Sequence, residues 1–201
     1  MSVSLADLNS CLNRLLRPGD YRDYCPNGLQ VEGRPHINTL VSGVTASQDF
    51  LQAAIDKGAD AILVHHGYFW KGEDPVISGI KKTRLKTLLD NDLSLFAYHL
   101  PLDAHPQLGN NAQLGEKLGF RTEADLDPFH KSRVGVWGYL EQPCSGETLA
   151  SRISSTLDRK PFHIPGKAKI IEKIGWCTGS AQSYIELAYE AGLPKGALSV
   201  I

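Results

Sequence analysis

The chain has 201 residues, 42% hydrophobic and 21% charged, the composition of an ordinary folded protein with room for a sizeable core. Its formal net charge of −1, with both signs mixed throughout, leaves no electrostatic footprint for nucleic acid or an anionic membrane surface. Cys11, Cys25, Cys144 and Cys177 lack C-x-x-C spacing and read as reduced thiols, and no segment approaches the roughly 20 apolar residues of a membrane span. The start, MSVSLADLNSCLNRLL, lacks the basic and apolar regions of a signal peptide, so the expected location is the cytoplasm.

That first stretch instead predicts an amphipathic helix. Ser4 and Asp7 resemble a capping box, Leu5, Leu8, Leu12, Leu15 and Leu16 line one face, and Pro18-Gly19 ends it. DYCPNGLQVEG follows as a Pro-Asn-Gly turn and a short extended stretch, in which Asn27 to Gln30 shape the turn. From residue 39, strands alternate with helices: TLVSGVT, then SQDFLQAAIDKG, DAILVHH, IKKTRLKTLLDND, LSLFAYH and NAQLGEKLG. Continuous apolar strands separated by helices indicate βαβ units and a parallel sheet covered on both faces.

The character changes after GFRTEADLDPF. RVGVWGYLE alternates like a half-exposed strand, SGETLASRISSTLD reads as a capped helix, and PFHIPGKAK is a Pro/Gly break. These features divide the chain into lobes at 1–126 and 127–201. KIGWCTGSAQSYIELAYEAG then repeats the pattern of LVSGVTASQDFLQAAIDKG, with Thr178 on Thr45, Ser180 on Ser47 and Gly192 on Gly58. The expected fold class is therefore α/β, two related lobes with mostly parallel sheet.

Ligands of open parallel sheets bind beyond the carboxyl ends of the strands. His65 and His66 close one buried strand there, and the next strand ends at His99 with Asp103 in the loop beyond. Parallel strands joined by a helix present these ends on one side, so His65, His66 and Asp103 form a candidate metal constellation. Adjacent residues on a strand face opposite ways, and two solutions follow: a bend at Gly67, or one imidazole for each of two ions bridged by Asp103. Imidazole with carboxylate suits zinc, iron, manganese or nickel over calcium.

Blander readings stand beside this one. A single histidine at a strand end is usually a hydrogen-bonded structural residue, and the case rests on two in succession with a matching carboxylate. His99 fits a supporting or proton-transferring group and equally a cap or core hydrogen bond. His36, His105, His130 and His163 receive no role. Tyr68, Phe69 and Trp70 read as packing under a loop or at a subunit contact, and Lys81, Lys82, Arg84 and Lys86 as a solvated helix face.

YCPNGLQVEG, GVTAS, DAILVHHGYFWKGE, LFAYHLPLDAHPQLGNNAQLGEKLG and WCTGSAQSYIELAYEAG together resemble the Nif-three-like family of dinuclear metal proteins, the GTP cyclohydrolase I type 2 homologues of bacteria. The resemblance runs from about residue 4 to residue 192. It implies two related α/β lobes, a homohexameric ring and two divalent ions per subunit, with ligands matching His65, His66 and Asp103. It also implies a metal-dependent hydrolase acting on a nucleotide-like small molecule, or alternatively a non-enzymatic metal-binding adaptor; His99 is the candidate catalytic proton relay. No Walker-type glycine loop is present to hold a triphosphate. Family members continue past this region to a His-x-x-x-Glu that completes the metal site, whereas this sequence reads LPKGALSVI, so the expectation is a C-terminally truncated chain with an incomplete second lobe.

Overall fold

In the computed structural model, residues 2–126, 134–190, 192–193 and 198–200 are described. The chain divides into two units, Met1–Leu102 and Asp103–Ile201.

The first unit opens with a two-residue strand, β1 (Val3–Ser4), and helix α1 (Leu5–Leu16). Ser4 caps the helix by accepting the Asp7 N–H at 3.0 Å. Arg17, at φ 48°, takes the left-handed conformation that ends it, and Pro18 prevents continuation. Then come β2 (Gly28–Val31), β3 (His36–Ile37), β4 (Leu40–Thr45), α2 (Gln48–Asp56), β5 (Ala61–His66), α3 (Gly79–Asp90), β6 (Ser94–Ala97) and α4 (Leu100–Ala104), which leads into the second unit. The sheet order is β2-β6-β5-β4; β4, β5 and β6 are parallel, and β2 runs antiparallel along β6.

Both faces of this sheet are covered, which explains its unbroken apolar runs. Ile62, Val64, Leu95 and Ala97 pack with Leu51, Leu85 and Leu88 of α2 and α3. The intervening Ala61, Phe96 and Tyr98 pack with Leu5, Leu12 and Leu16 of α1. Alternate residues of two strands thus seal two cores, and only the strand tips remain for polar chemistry.

The second unit contains α5 (Asn110–Leu118), β7 (Phe120–Asp125), β8 (Val136–Cys144), α6 (Gly146–Leu157), β9 (Ile171–Cys177), α7 (Tyr184–Glu190) and β10 (Leu198–Val200). Here the expectation of mostly parallel sheet needs correcting. In the order β10-β9-β8-β7, β8 runs antiparallel to both β7 and β9, and β9-β10 is the parallel pair. The half-exposed alternation of VGVWGYLE carries the reason, since one-sided burial is the habit of antiparallel strands.

The units separate at residue 102, earlier than the change of sequence character, because α5 and β7 supply Leu114, Leu118 and Phe120 to the core formed by Leu140, Leu149, Ile153, Ile171, Ile174 and Trp176. Residue 127, where the sequence changes, and His130 lie outside the described residues. The internal repeat is visible in the topology: β4-α2-β5 and β9-α7-β10 both run from strand through helix to a parallel strand. Gly58 and Gly192 follow the two helices at φ 68° and 74°, the left-handed region where glycine carries no side-chain penalty.

Candidate metal centre

His65 and His66 close β5, and His99 lies two residues beyond the end of β6. Parity along β5 sends neighbouring side chains to opposite faces, yet the rings of His65 and His66 come within 4.3 Å, centroid to centroid. The pleat ends at His66, so it no longer holds them apart. The His99 ring completes the group, 5.0 Å from His65 and 5.7 Å from His66. One nitrogen from each imidazole can be chosen so that all three lie within 4.8 Å of one another. Three borderline nitrogen donors at that spacing suit a zinc-like divalent ion, with adjustment of the rings toward usual bond lengths of about 2.0–2.1 Å.

The bend after His66 is built by a side chain from β2. Gln30 is the extra residue where the β2–β6 register shifts, a bulge that re-aims its side chain. Its Oε1 accepts the Tyr68 N–H at 2.7 Å, and its Nε2 donates to the carbonyls of Tyr68 and Pro26 at 3.0 and 2.8 Å. Gly67 is required beneath it: a Cβ there would stand 2.2 Å from Gln30 Oε1 and 2.5 Å from Ala97 Cβ.

Each imidazole is also held from behind. His65 Nδ1 lies 3.2 Å from the Tyr98 carbonyl, which can only accept, so this bond puts a proton on Nδ1. His66 Nδ1 lies 3.3 Å from Thr45 Oγ1, and His99 Nδ1 lies 2.8 Å from the Asp23 carboxylate. The His99 backbone N–H donates to Asn27 Oδ1 at 2.7 Å. The aromatic run after the histidines divides its tasks. Tyr68 is buried, with its hydroxyl donating to the Ala46 carbonyl at 2.8 Å, while Trp70 sets its ring edge-on against His99 at 5.0 Å.

A second grouping, Asp23, Cys25 and His99, has ligand atoms within the same 4.8 Å limit. Burial and the Asp23 charge push the Cys25 thiol up to about 12, which keeps it neutral at ordinary pH.

Asp103 begins the second unit and is 7% exposed. Its Oδ1 accepts from Asn110 Nδ2 at 2.8 Å and from Thr178 Oγ1 at 3.3 Å. Beside it, burial and then the Asp103 charge push Cys177 up to about 12. Asp23, Asn27 and Gln30 were not singled out by spacing, because their partners lie 77, 72 and 38 residues away in the chain. The polar residues crowded into DYCPNGLQ are their signal in the sequence.

Fold and site together define a class: a two-unit mixed α/β protein with a histidine cluster at the carboxyl edge of parallel strands. The Duf34/NIF3 (NGG1p interacting factor 3) family model matches residues 3–194, and the chain belongs to this family. It is 54% identical over 188 residues to the GTP cyclohydrolase 1 type 2 homolog of Vibrio cholerae, covering 92% of this chain and 74% of that protein. The protein of the same name from Pseudomonas aeruginosa is 49% identical over 193 residues, covering 96% and 76%. Among solved structures, protein ybgI, described as of unknown function, superposes with a TM-score of 0.91 at 46% identity, covering 98% of this chain and 78% of that one. Among the described residues no helix is long and apolar enough to cross a membrane.

Proposed function

We propose that the chain is a metal-dependent hydrolase acting on a nucleotide-like small molecule. His65 and His66 hold divalent ions, Asp103 is the carboxylate ligand assigned from the sequence, and His99 carries a proton. The observation that supports this most directly is the gathering of three imidazoles with ligand atoms within 4.8 Å at the tips of β5 and β6. When bound, divalent ions supply Lewis acidity that makes water a usable nucleophile near neutral pH.

The chain's own residues then set the chemistry. The Nδ1 contacts of His65 and His66 orient their rings. Trp70, packed against His66 and His99, shields one side of the cluster from water. His99 takes a proton from the attacking water and returns it to the leaving nitrogen. The name of the relatives makes GTP the substrate to test first. Hydrolysis at the imidazole carbon of its purine opens that ring with one water and releases formate with a second.

The test is metal-dependent formate release from GTP by the purified protein. Loss of release in His65→Ala and Asp103→Ala is the expected result, and equal turnover in both variants rejects the assignment. A second reading, a ring-forming hexameric adaptor of the cytoplasm, draws support from Val76, Ile77, Ile80 and Leu89, large apolar side chains left exposed before and along α3. Bound metal with no turnover across a nucleotide panel, and a hexamer in sedimentation, would favour it.

A further inference from the structure

Asp23 takes no part in the ligand set proposed above, yet its carboxylate is bonded directly to His99. Its side chain is 3% exposed. Four donors converge on it: His99 Nδ1 at 2.8 Å and the Tyr24 N–H at 2.6 Å on Oδ1, then Asn27 Nδ2 at 2.8 Å and the Leu100 N–H at 2.9 Å on Oδ2. The Tyr24 and Leu100 N–H groups and the Asn27 amide nitrogen can only donate, so both oxygens of this carboxylate are set as acceptors.

This fixes a proton that coordinates alone leave open. In the Asp23–His99 bond the proton belongs to His99 Nδ1, and the lone pair of the neutral ring falls on Nε2. Asn27 reinforces the arrangement, since one amide donates to Asp23 and accepts the backbone N–H of His99. The held ring is the one that stands 5.0 and 5.7 Å from His65 and His66.

We propose that Asp23 is a positioning residue: it holds His99 in the Nδ1–H tautomer, which leaves Nε2 as the atom that takes the proton beside the His65–His66 pair. The proposal rests on the metal reading above for its use, but the tautomer can be measured without any metal. The bland alternative is that Asp23 merely ties the loop before β2 to the start of α4, in which case the tautomer is indifferent to its charge.

The experiment uses the full chain labelled with nitrogen-15 histidine and stripped of metal, read by long-range proton–nitrogen correlation at about pH 8.5, where a free imidazole is neutral. The His99 signals are assigned by their absence in His99→Gln. The wild-type spectrum should show His99 protonated at Nδ1. In Asp23→Asn the near-isosteric amide can turn its NH2 toward Nδ1, and the ring should shift toward the Nε2–H form. Cobalt(II) titration of the same samples, followed by visible absorption, reads metal uptake separately from the tautomer.

A wild-type His99 protonated at Nε2 overturns the proposal, and this needs no variant to fold. So does an Asp23→Asn protein whose His99 tautomer matches wild type. If wild type shows the Nδ1–H form and Asp23→Asn shifts it, but neither protein takes up cobalt, the metal reading fails while the assignment to Asp23 stands.

Discussion

The segments β4-α2-β5 and β9-α7-β10 repeat one strand–helix–strand frame within the chain, and they differ in what they support. In the first, Thr45 sits opposite His66 across the parallel pair, and its hydroxyl meets the His66 ring at 3.3 Å. In the second, the equivalent Thr178 donates to Asp103 at 3.3 Å. The same threonine in the same frame therefore braces a different candidate ligand in each unit. The serines diverge further: Ser47 caps α2 by accepting the Phe50 N–H, whereas Ser180 bonds the side chain of Gln182. A duplicated frame conserves where polar side chains emerge, and leaves open which chemistry they serve.

The largest effect that would separate the two regions lies in the second core. Trp176 is fully buried, packs on Phe120, and donates its indole N–H to the Asn111 carbonyl at 2.9 Å. Trp176→Ala should cost about 3–5 kcal/mol, read from the denaturant midpoint, with the loss of amide exchange protection greatest in β8 and β9. Equal loss throughout β5 and β6 would break the picture of two cores. In the first region, Gly67→Ala should cost about 1–3 kcal/mol through the clash with Gln30 and Ala97. It should also lower cobalt affinity by displacing the bend that follows the histidines; unchanged stability and affinity would show that the bend is not confined.

Acid sensitivity offers a third contrast. Asp60 is buried, a condition that raises a carboxyl pKa, but the N–H groups of Asn38 and Thr39 and the Arg34 guanidinium hold it below the usual aspartate value. Its folded pKa is thus lower than its unfolded one. The stabilisation is complete above the unfolded value of about 3.9 and is lost as pH falls through the folded value. Asp60→Asn should therefore lower stability at neutral pH and flatten the acid limb of the first unit's melting profile. An acid limb as steep as wild type would remove Asp60 from the account. The smallest contrast is at the caps: Ser47→Ala should cost about 1 kcal/mol, and Ser180→Ala no more than about 0.5 kcal/mol, both by thermal melting.

Much of the first unit is legible in the sequence because its signals are local. The run ILV before the histidines and LFA before His99 announce buried strands, and Ser4 and Ser47 each cap the helix that the apolar spacing predicts. The gathering of His65 and His66 needed only the end of a strand and a glycine. The support behind them was not legible, because the bonds of Gln30 to Tyr68 and of Asp23 to His99 are tertiary facts that no periodicity encodes. The expectation of parallel sheet rests on the strand–helix alternation after residue 39 and holds for β4, β5 and β6, while in the second unit direction depends on β7 and β8, where half-exposed alternation carries the information.

The Gln30 amide has a practical consequence. By occupying both backbone groups of Tyr68 it finishes the strand tip with a side chain, while the Lys71 N–H on the Tyr24 carbonyl and Glu73 on the Trp70 backbone secure the next turn. The stretch from Val76 to Ser78, beyond those bonds, is then the part that tolerates lengthening or exchange with the imidazoles keeping their spacing. It is a natural insertion point for an affinity tag or a fluorescent reporter of events at the cluster.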